Sequence, residues 1–198
     1  MTERPTPAFL EALQAFHDAL VELGAPFTFI GGVAVIARGV PRLTVDIDAT
    51  VRAPDTNVDS IFEALDRHDI GPRMDQAKEF ARMHHVFLGR HEPTGTPIDL
   101  SLAYLDFEDE AIQSSDEIDY AQVRIPVARA EDLVVYKIVA FRPRDIDDAE
   151  KLLNLHHGEI QIARVRRLVQ QFCEALEDTA RLETLDRLLK RLGLMPRN

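Results

Sequence analysis

The stretch from Phe29 to Val51, FIGGVAVIARGVPRLTVDIDATV, constrains this chain more than any other. It passes from an apolar strand end (27–30) through the pair Gly31-Gly32 and a short apolar segment predicted as a helix over 33–38. It then reaches Arg42-Leu43-Thr44-Val45-Asp46-Ile47-Asp48. Residues two apart in a β-strand point to one face, so a strand over 43–51 would put Asp46 and Asp48 on one side and Val45 and Ile47 on the other. Two carboxylates about 6 to 7 Å apart along a strand repel each other unless a cation lies between them. Mg²⁺ suits that place, because it takes oxygen ligands and is usually held by one or two carboxylates plus substrate phosphates. The glycine pair supplies the other half of such a site. Glycine lets the backbone approach a ligand closely, and the free N–H groups at a helix start favour a phosphate. Alone, Gly-Gly reads as a turn and Asp-x-Asp as a solvated strand face; in this order they propose a metal–nucleotide site.

A third carboxylate lies downstream. Residues 85–89 and 97–102 form a hairpin pattern joined through Pro93 and Gly95. Asp99 interrupts the second run between Ile98 and Leu100, and a carboxylate in mid-strand is costly unless it is paired or bound to a metal. Beside the Asp-x-Asp strand it would complete a three-carboxylate cluster. On the ordinary alternation of half-exposed strands it is a solvent-facing residue instead.

The second informative stretch, residues 130–155, reads AEDLVVYKIVAFRPRDIDDAEKLLNL. Acidic residues open it and apolar periodicity continues it as a helix, which Pro143 breaks before a second helix begins. Lys137 stands among Val134, Val135, Tyr136 and Ile138, a poor place for a bystander lysine unless it snorkels. Arg142, Asp145 and Asp148 fit equally a structural ion-pair network between the two helices.

Together these stretches resemble the nucleotidyltransferases of the DNA polymerase β-like superfamily, most closely the AbiE-type (AbiEii-like) toxins. The resemblance covers residues 27–155, about two thirds of the chain. It implies an α/β (α+β) nucleotidyltransferase fold, a small mixed sheet flanked by helices, with a C-terminal helical segment. It also implies that Asp46, Asp48 and Asp99 are the catalytic carboxylates holding two Mg²⁺ ions. Gly31 and Gly32 would cradle the triphosphate, with Arg42, Thr44 and Lys137 beside it. Arg142, Arg144, Asp145 and Asp148 would support the site, matching a signature that reads Lys-x-x-Ala, Arg-x-Lys-Asp and then Asp. Two departures stand out. Gly32 replaces a common serine, leaving only backbone N–H groups for the phosphate, and Arg144 replaces a lysine, keeping charge but changing geometry.

The implied activity is transfer of a nucleoside monophosphate from a nucleoside triphosphate, ATP among the candidates, to an acceptor hydroxyl. RNA such as a tRNA end is the first acceptor, with an antitoxin protein as a possible partner. A small-molecule acceptor of the aminoglycoside or lincosamide kind is the second reading, and a catalytically idle nucleotide-binding module the third.

The formal net charge of −11 argues against broad charge-driven binding to nucleic acid and suits a cationic small acceptor better. The charge is uneven: residues 160–198 carry 8 Lys+Arg against 5 Asp+Glu, and Arg164, Arg166 and Arg167 read as a solvated helix face or as an RNA contact. A single cysteine, Cys173, excludes an internal disulfide, and no apolar run is long enough for a membrane span, so a cytoplasmic location is expected. The expected organisation is an α/β core over 1–128 with a helical part over 129–198 packed on it. Amphipathic helices are predicted over 7–23 and 57–68, with one or two more over 164–194. Residues 106–119 read as an acidic loop or frayed helix, and 120–127 as a strand near a sheet edge.

Overall fold

Apolar residues three and four apart build the first helix, α1 (Pro7–Leu23), with Leu13, Phe16 and Leu20 on its buried face. Thr6 caps it by accepting a hydrogen bond from the Phe9 amide at 3.2 Å. Pro7 stands at its first positions and Gly24 ends it in the left-handed conformation, φ 71°. The computed structural model describes residues 5–52 and 58–195, and residue 57, the predicted start of the second helix, lies outside them. The described residues form two compact units, one within 1–37 and 41–128, the other within 38–40 and 129–198.

In the first unit α1 is followed by β1 (Phe27–Ile30), α2 (Gly31–Ala37), β2 (Ile47–Val51), α3 (Val58–Arg67), β3 (Ile70–Pro72) and α4 (Ala77–His84). Then come β4 (Val86–His91), β5 (Thr96–Leu102), α5 (Asp106–Gln113), β6 (Asp116–Tyr120) and β7 (Val123–Val127). The seven strands make one mixed sheet in the order β3-β4-β5-β2-β1-β7-β6. β2 runs antiparallel to β1 and parallel to β5, and β7 runs parallel to β1. This is the mixed α/β architecture that the sequence predicts.

Register decides what each face carries. Phe29, Ala49, Leu100 and Phe87 form one row across β1, β2, β5 and β4, all essentially inaccessible to solvent. Phe16 of α1 meets Phe29 edge-on, ring centroids 5.8 Å apart, so this row faces the core. The next row, Ile30, Asp48, Asp99 and Leu88, points to the opposite face because side chains alternate. Its members are half-buried, which gives polar groups a route to solvent.

The structure sharpens the sequence pattern locally. β2 begins at Ile47, so Asp46 lies just ahead of it: β1 ends at Ile30 opposite Asp48 and offers no partner to the residues before. Gly31 and Gly32 are the first residues of α2 and not a separate turn. Residues 106–113 form a helix anchored by Glu108, whose carboxylate accepts from the Tyr104 and Leu105 amides at 3.1 and 3.2 Å. Residues 116–120 form the edge strand β6, so β7 with Pro126 is the second strand in. The polar segment 70–82, without a clear sequence pattern, supplies β3 and α4.

The second unit is helical: α6 (Ala130–Ala140), α7 (Pro143–Leu155), α8 (Ile162–Ala175) and α9 (Ala180–Leu192). Phe141, left-handed at φ 59°, ends α6, and Pro143 opens α7 where its missing N–H costs nothing. Leu133, Val134, Ile138, Leu152, Val165 and Leu189 share its core, and Cys173 is buried there. Arg164 and Arg166 are not a solvated face. Arg164 meets Asp132 at 2.6 Å and Glu131 at 3.3 Å, and Arg166 meets Asp186 at 2.7 Å. Among the described residues no helix is long and apolar enough to cross a membrane.

Candidate active site

The site is built at the step from β1 into α2. Gly31 sits at φ 62°, where only glycine is unstrained, and a Cβ there would stand 1.9 Å from Oδ2 of Asp48. The Asp48 carboxylate thus lies directly against the backbone of the glycine pair. A Cβ on Gly32 would stand 2.2 Å from Oγ1 of Thr44 and 3.2 Å from Nη2 of Arg42. The segment before β2 therefore folds its polar side chains over the start of α2. Thr44 Oγ1 donates to Asp46 Oδ1 at 2.8 Å, which orients the first aspartate. The hydroxyl that a serine at position 32 would bring is replaced in space by that of Thr44.

Asp99 enters from β5. It is the register partner of Asp48 on the neighbouring parallel strand, so the two carboxylates leave the sheet on the same face. Arg73, just past β3, reaches Asp99 with Nη2 2.8 Å from Oδ1. That oxygen is shielded from solvent, and the contact is one of charge that falls short of an aligned hydrogen bond. Burial raises the Asp99 carboxyl above its ordinary range; Arg73 opposes the rise and the charge of Asp46 adds to it. Among the described residues no three His, Cys, Asp or Glu side chains converge into a group that could enclose a metal ion. Asp46 is turned toward Thr44 and Asp99 toward Arg73.

The other sequence-predicted residues lie in the helical unit and gather among themselves. Lys137 is buried, its Nζ 2.9 Å from Asp145 Oδ1 and 3.4 Å from Asp148 Oδ2, and both aspartates are buried with it. Arg142, largely exposed, donates from Nε to Asp145 Oδ2 at 2.6 Å. Burial pushes the Asp145 carboxyl up, but the hydrogen bonds and charges of Arg142 and Lys137 outweigh it and hold the group below its ordinary range. The interhelical ion-pair network offered by the sequence is therefore present. Arg144 is exposed in the first turn of α7.

A family model described as the nucleotidyl transferase AbiEii toxin of type IV toxin–antitoxin systems matches residues 12–194. The chain belongs to this AbiEii family. Like other members it is a nucleotidyltransferase, an enzyme that uses a nucleoside triphosphate. No curated protein matches it. Among solved structures, the antibiotic-resistance factor ANT(2'')-Ia is similar at a TM-score of 0.57 and 16% identity, covering 84% of this chain and 91% of that one. JHP933 from Helicobacter pylori is similar at 0.54 and 15%, covering 97% and 93%. The lincosamide antibiotic adenylyltransferase LnuA is similar at 0.50 and 16%, covering 77% and 99%. These likenesses establish a shared nucleotidyltransferase fold.

Within the AbiEii chain the residue that the sequence pattern misses is Arg73. It lies in the polar stretch 70–82, and nothing near it in sequence connects it to Asp99. Its place follows from pairing alone: Pro72 of β3 lies opposite Gly89 of β4, the Arg73 amide donates to the Leu88 carbonyl at 3.1 Å, and Leu88 lies opposite Asp99.

Proposed function

We propose that this AbiEii enzyme transfers a nucleoside monophosphate from a Mg²⁺-bound triphosphate to an RNA hydroxyl, with Asp46, Asp48 and Asp99 as its carboxylates. The observation that carries this is the Asp48–Asp99 register pair set against Gly31. Asp48 stands beside a helix start whose backbone can approach a phosphate, and Asp99 is its register partner on the neighbouring strand. The donor set fits a hard divalent cation: the ligands are carboxylate oxygens, and Oδ1 of Asp99 is shielded without an aligned donor. Asp46, Asp48 and Asp99 would hold the ions. When bound, such ions neutralise phosphate charge and stabilise the attacking and leaving oxygens.

The residues of the chain then have separate tasks. The amides at Gly31 and Gly32 and the Thr44 hydroxyl hold the triphosphate, and Arg42 offsets its charge. The acceptor hydroxyl attacks the α-phosphorus, the bond from that phosphorus to the bridging oxygen breaks, and pyrophosphate leaves. Asp99, raised by burial, takes the hydroxyl proton. Lys137, Asp145, Asp148, Arg142 and Arg144 support the helical unit. RNA, a tRNA end included, is the acceptor class and an antitoxin protein the partner that a toxin family favours. A small cationic acceptor is the second reading, favoured by the net charge of −11 and by the adenylyl-2''-tobramycin and lincomycin bound in similar structures.

Thermal unfolding with each of the four triphosphates, with and without Mg²⁺, tests the common core of both readings. At a hundred times the dissociation constant a ligand stabilises by about 2.7 kcal/mol, roughly 5 to 10 °C at this size. A Mg²⁺-dependent shift that Asp46→Asn with Asp48→Asn abolishes supports the proposal. No shift with any triphosphate sinks it.

A further inference from the structure

We propose that Arg73 is a resident counter-ion for Asp99 that a divalent cation must displace, so that loading the site releases this arginine. The inference rests on the carboxylate reading above and adds a residue to it. Arg73, just past β3, continues the row of Leu88, Asp99 and Asp48 across β4, β5 and β2. The Arg73 side chain therefore spans the width of β4, two strand spacings of about 4.8 Å each, to reach a carboxylate that its own strand does not touch. A surface arginine with solvent beside it has no need of so long a reach.

Three features fit a placeholder better than a fixed brace. The contact is close, at 2.8 Å, yet Oδ1 of Asp99 has no aligned hydrogen bond, so the pair gives up part of what an arginine–carboxylate pair can offer. The Arg73 side chain is 37% exposed, which leaves it a way out into water. It also lies where β3 passes into the bend before α4, beyond the last paired strand residue. An oxygen that accepts a divalent ion cannot keep a guanidinium at that distance without strong like-charge repulsion. Metal and arginine therefore exclude each other on Oδ1 of Asp99, and the arginine keeps a half-buried carboxylate neutralised until the metal arrives.

The experiment is a titration with Mn²⁺ alone at a pH of about 8, where carboxylates are ionised, following free Mn²⁺ by its paramagnetic resonance signal. Arg73→Gln should bind Mn²⁺ roughly five- to tenfold more tightly than the wild type, since one neighbouring positive charge is removed. Arg73→Lys, which keeps the charge, should stay near the wild type, and Asp99→Asn should bind more weakly than all of them. Equal or weaker binding by Arg73→Gln, with Asp99→Asn still impaired, overturns the counter-ion while leaving the carboxylate site standing. Binding that Asp99→Asn leaves unchanged, or none by any protein, overturns both. A measurement without any variant guards against misfolding: the guanidinium N–H resonances of Arg73 should move when Mg²⁺ is added to the wild type. Resonances that stay fixed as Mg²⁺ binds would overturn the displacement.

Discussion

Asp48 of β2 and Asp99 of β5 are register partners on neighbouring parallel strands, although 51 positions apart in sequence. A parallel pair needs a crossover, and this one is made by α3, β3, α4 and β4. The pairing forces both carboxylates onto the half-buried face, where Asp48 lies beside the start of α2.

Asp48→Asn and Asp99→Asn should each lower nucleotidyl transfer by on the order of a hundredfold or more while leaving the fold intact. Each exchange keeps shape and removes charge, so a packing role would spare activity and a metal-ligating role would not. Incorporation of labelled nucleotide into total RNA, read beside the far-ultraviolet circular dichroism of each variant, checks this. Activity within a few-fold of wild type for either variant counts against the assignment.

Gly32→Ser should impair the enzyme, because its Cβ would collide with Thr44, 2.2 Å from Oγ1 and 2.8 Å from Cβ. The loss should be largely relieved when Thr44→Gly is added, since the new serine then has the vacated space and restores a hydroxyl over the start of α2. Gly31→Ala has no such remedy: its φ of 62° costs about 1 to 2 kcal/mol for any residue with a Cβ, and Asp48 blocks the volume besides. Melting temperature and triphosphate affinity across the four proteins read the coupling, and strictly additive losses in Gly32→Ser and Thr44→Gly would refute it.

Much of this was legible in the sequence because periodicity and turn residues report on local structure. Phe9 to Leu20 specified α1, Pro143 divided α6 from α7, and Ile98-Asp99-Leu100 betrayed a carboxylate within a strand. Asp48 and Asp99 could be suspected of meeting, because a lone acid in an apolar strand has few other reasons to be there. Arg73 could not, since its partner is fixed by the pairing of β3, β4 and β5 and not by neighbours in sequence. Thr44 over Gly32 was hidden for the same reason: a missing serine shows in the sequence, but the side chain filling its place shows only in space. The strand predicted from residue 43 shrank to Ile47–Val51 because strand length depends on a partner, and β1 supplies none beyond Ile30.

The wild type should lose stability relative to Asp99→Asn as pH rises. Burial is the largest influence on Asp99 and raises its carboxyl above the ordinary 3.8, with Arg73 opposing. A carboxyl whose folded value is raised binds its proton more tightly when folded. Its stabilising contribution is complete below the unfolded value and disappears as the pH climbs through the raised one. Asparagine does not titrate, so the melting difference in favour of Asp99→Asn should grow above a pH of about 4 and level off toward neutrality. With Asp99 partly exposed, the total should stay below about 1 kcal/mol, roughly 2 to 4 °C. A difference that is flat with pH, measured in chelator, would contradict this.

Lys137→Met should be the most destabilising of these changes. The lysine is buried between Asp145 at 2.9 Å and Asp148 at 3.4 Å, and its removal takes away the buried cation that both carboxylates face. Breaking a buried ion pair from one side costs about 3 to 5 kcal/mol, here a fall of roughly 6 °C or more in melting temperature. Neutralising the aspartates as well, with Asp145→Asn and Asp148→Asn, should recover most of the loss, because the penalty comes from the buried negative charge that Lys137 offsets and not from lost volume. The acid limb supplies a second readout. Asp145 lies below its ordinary 3.8, so its stabilising contribution is present above that pH and is lost as the pH falls through the lowered value. Lys137→Met removes part of that lowering and should flatten the acid unfolding curve below a pH of about 4. If Lys137→Met melts like the wild type yet binds triphosphate far more weakly, the lysine serves substrate and not the network.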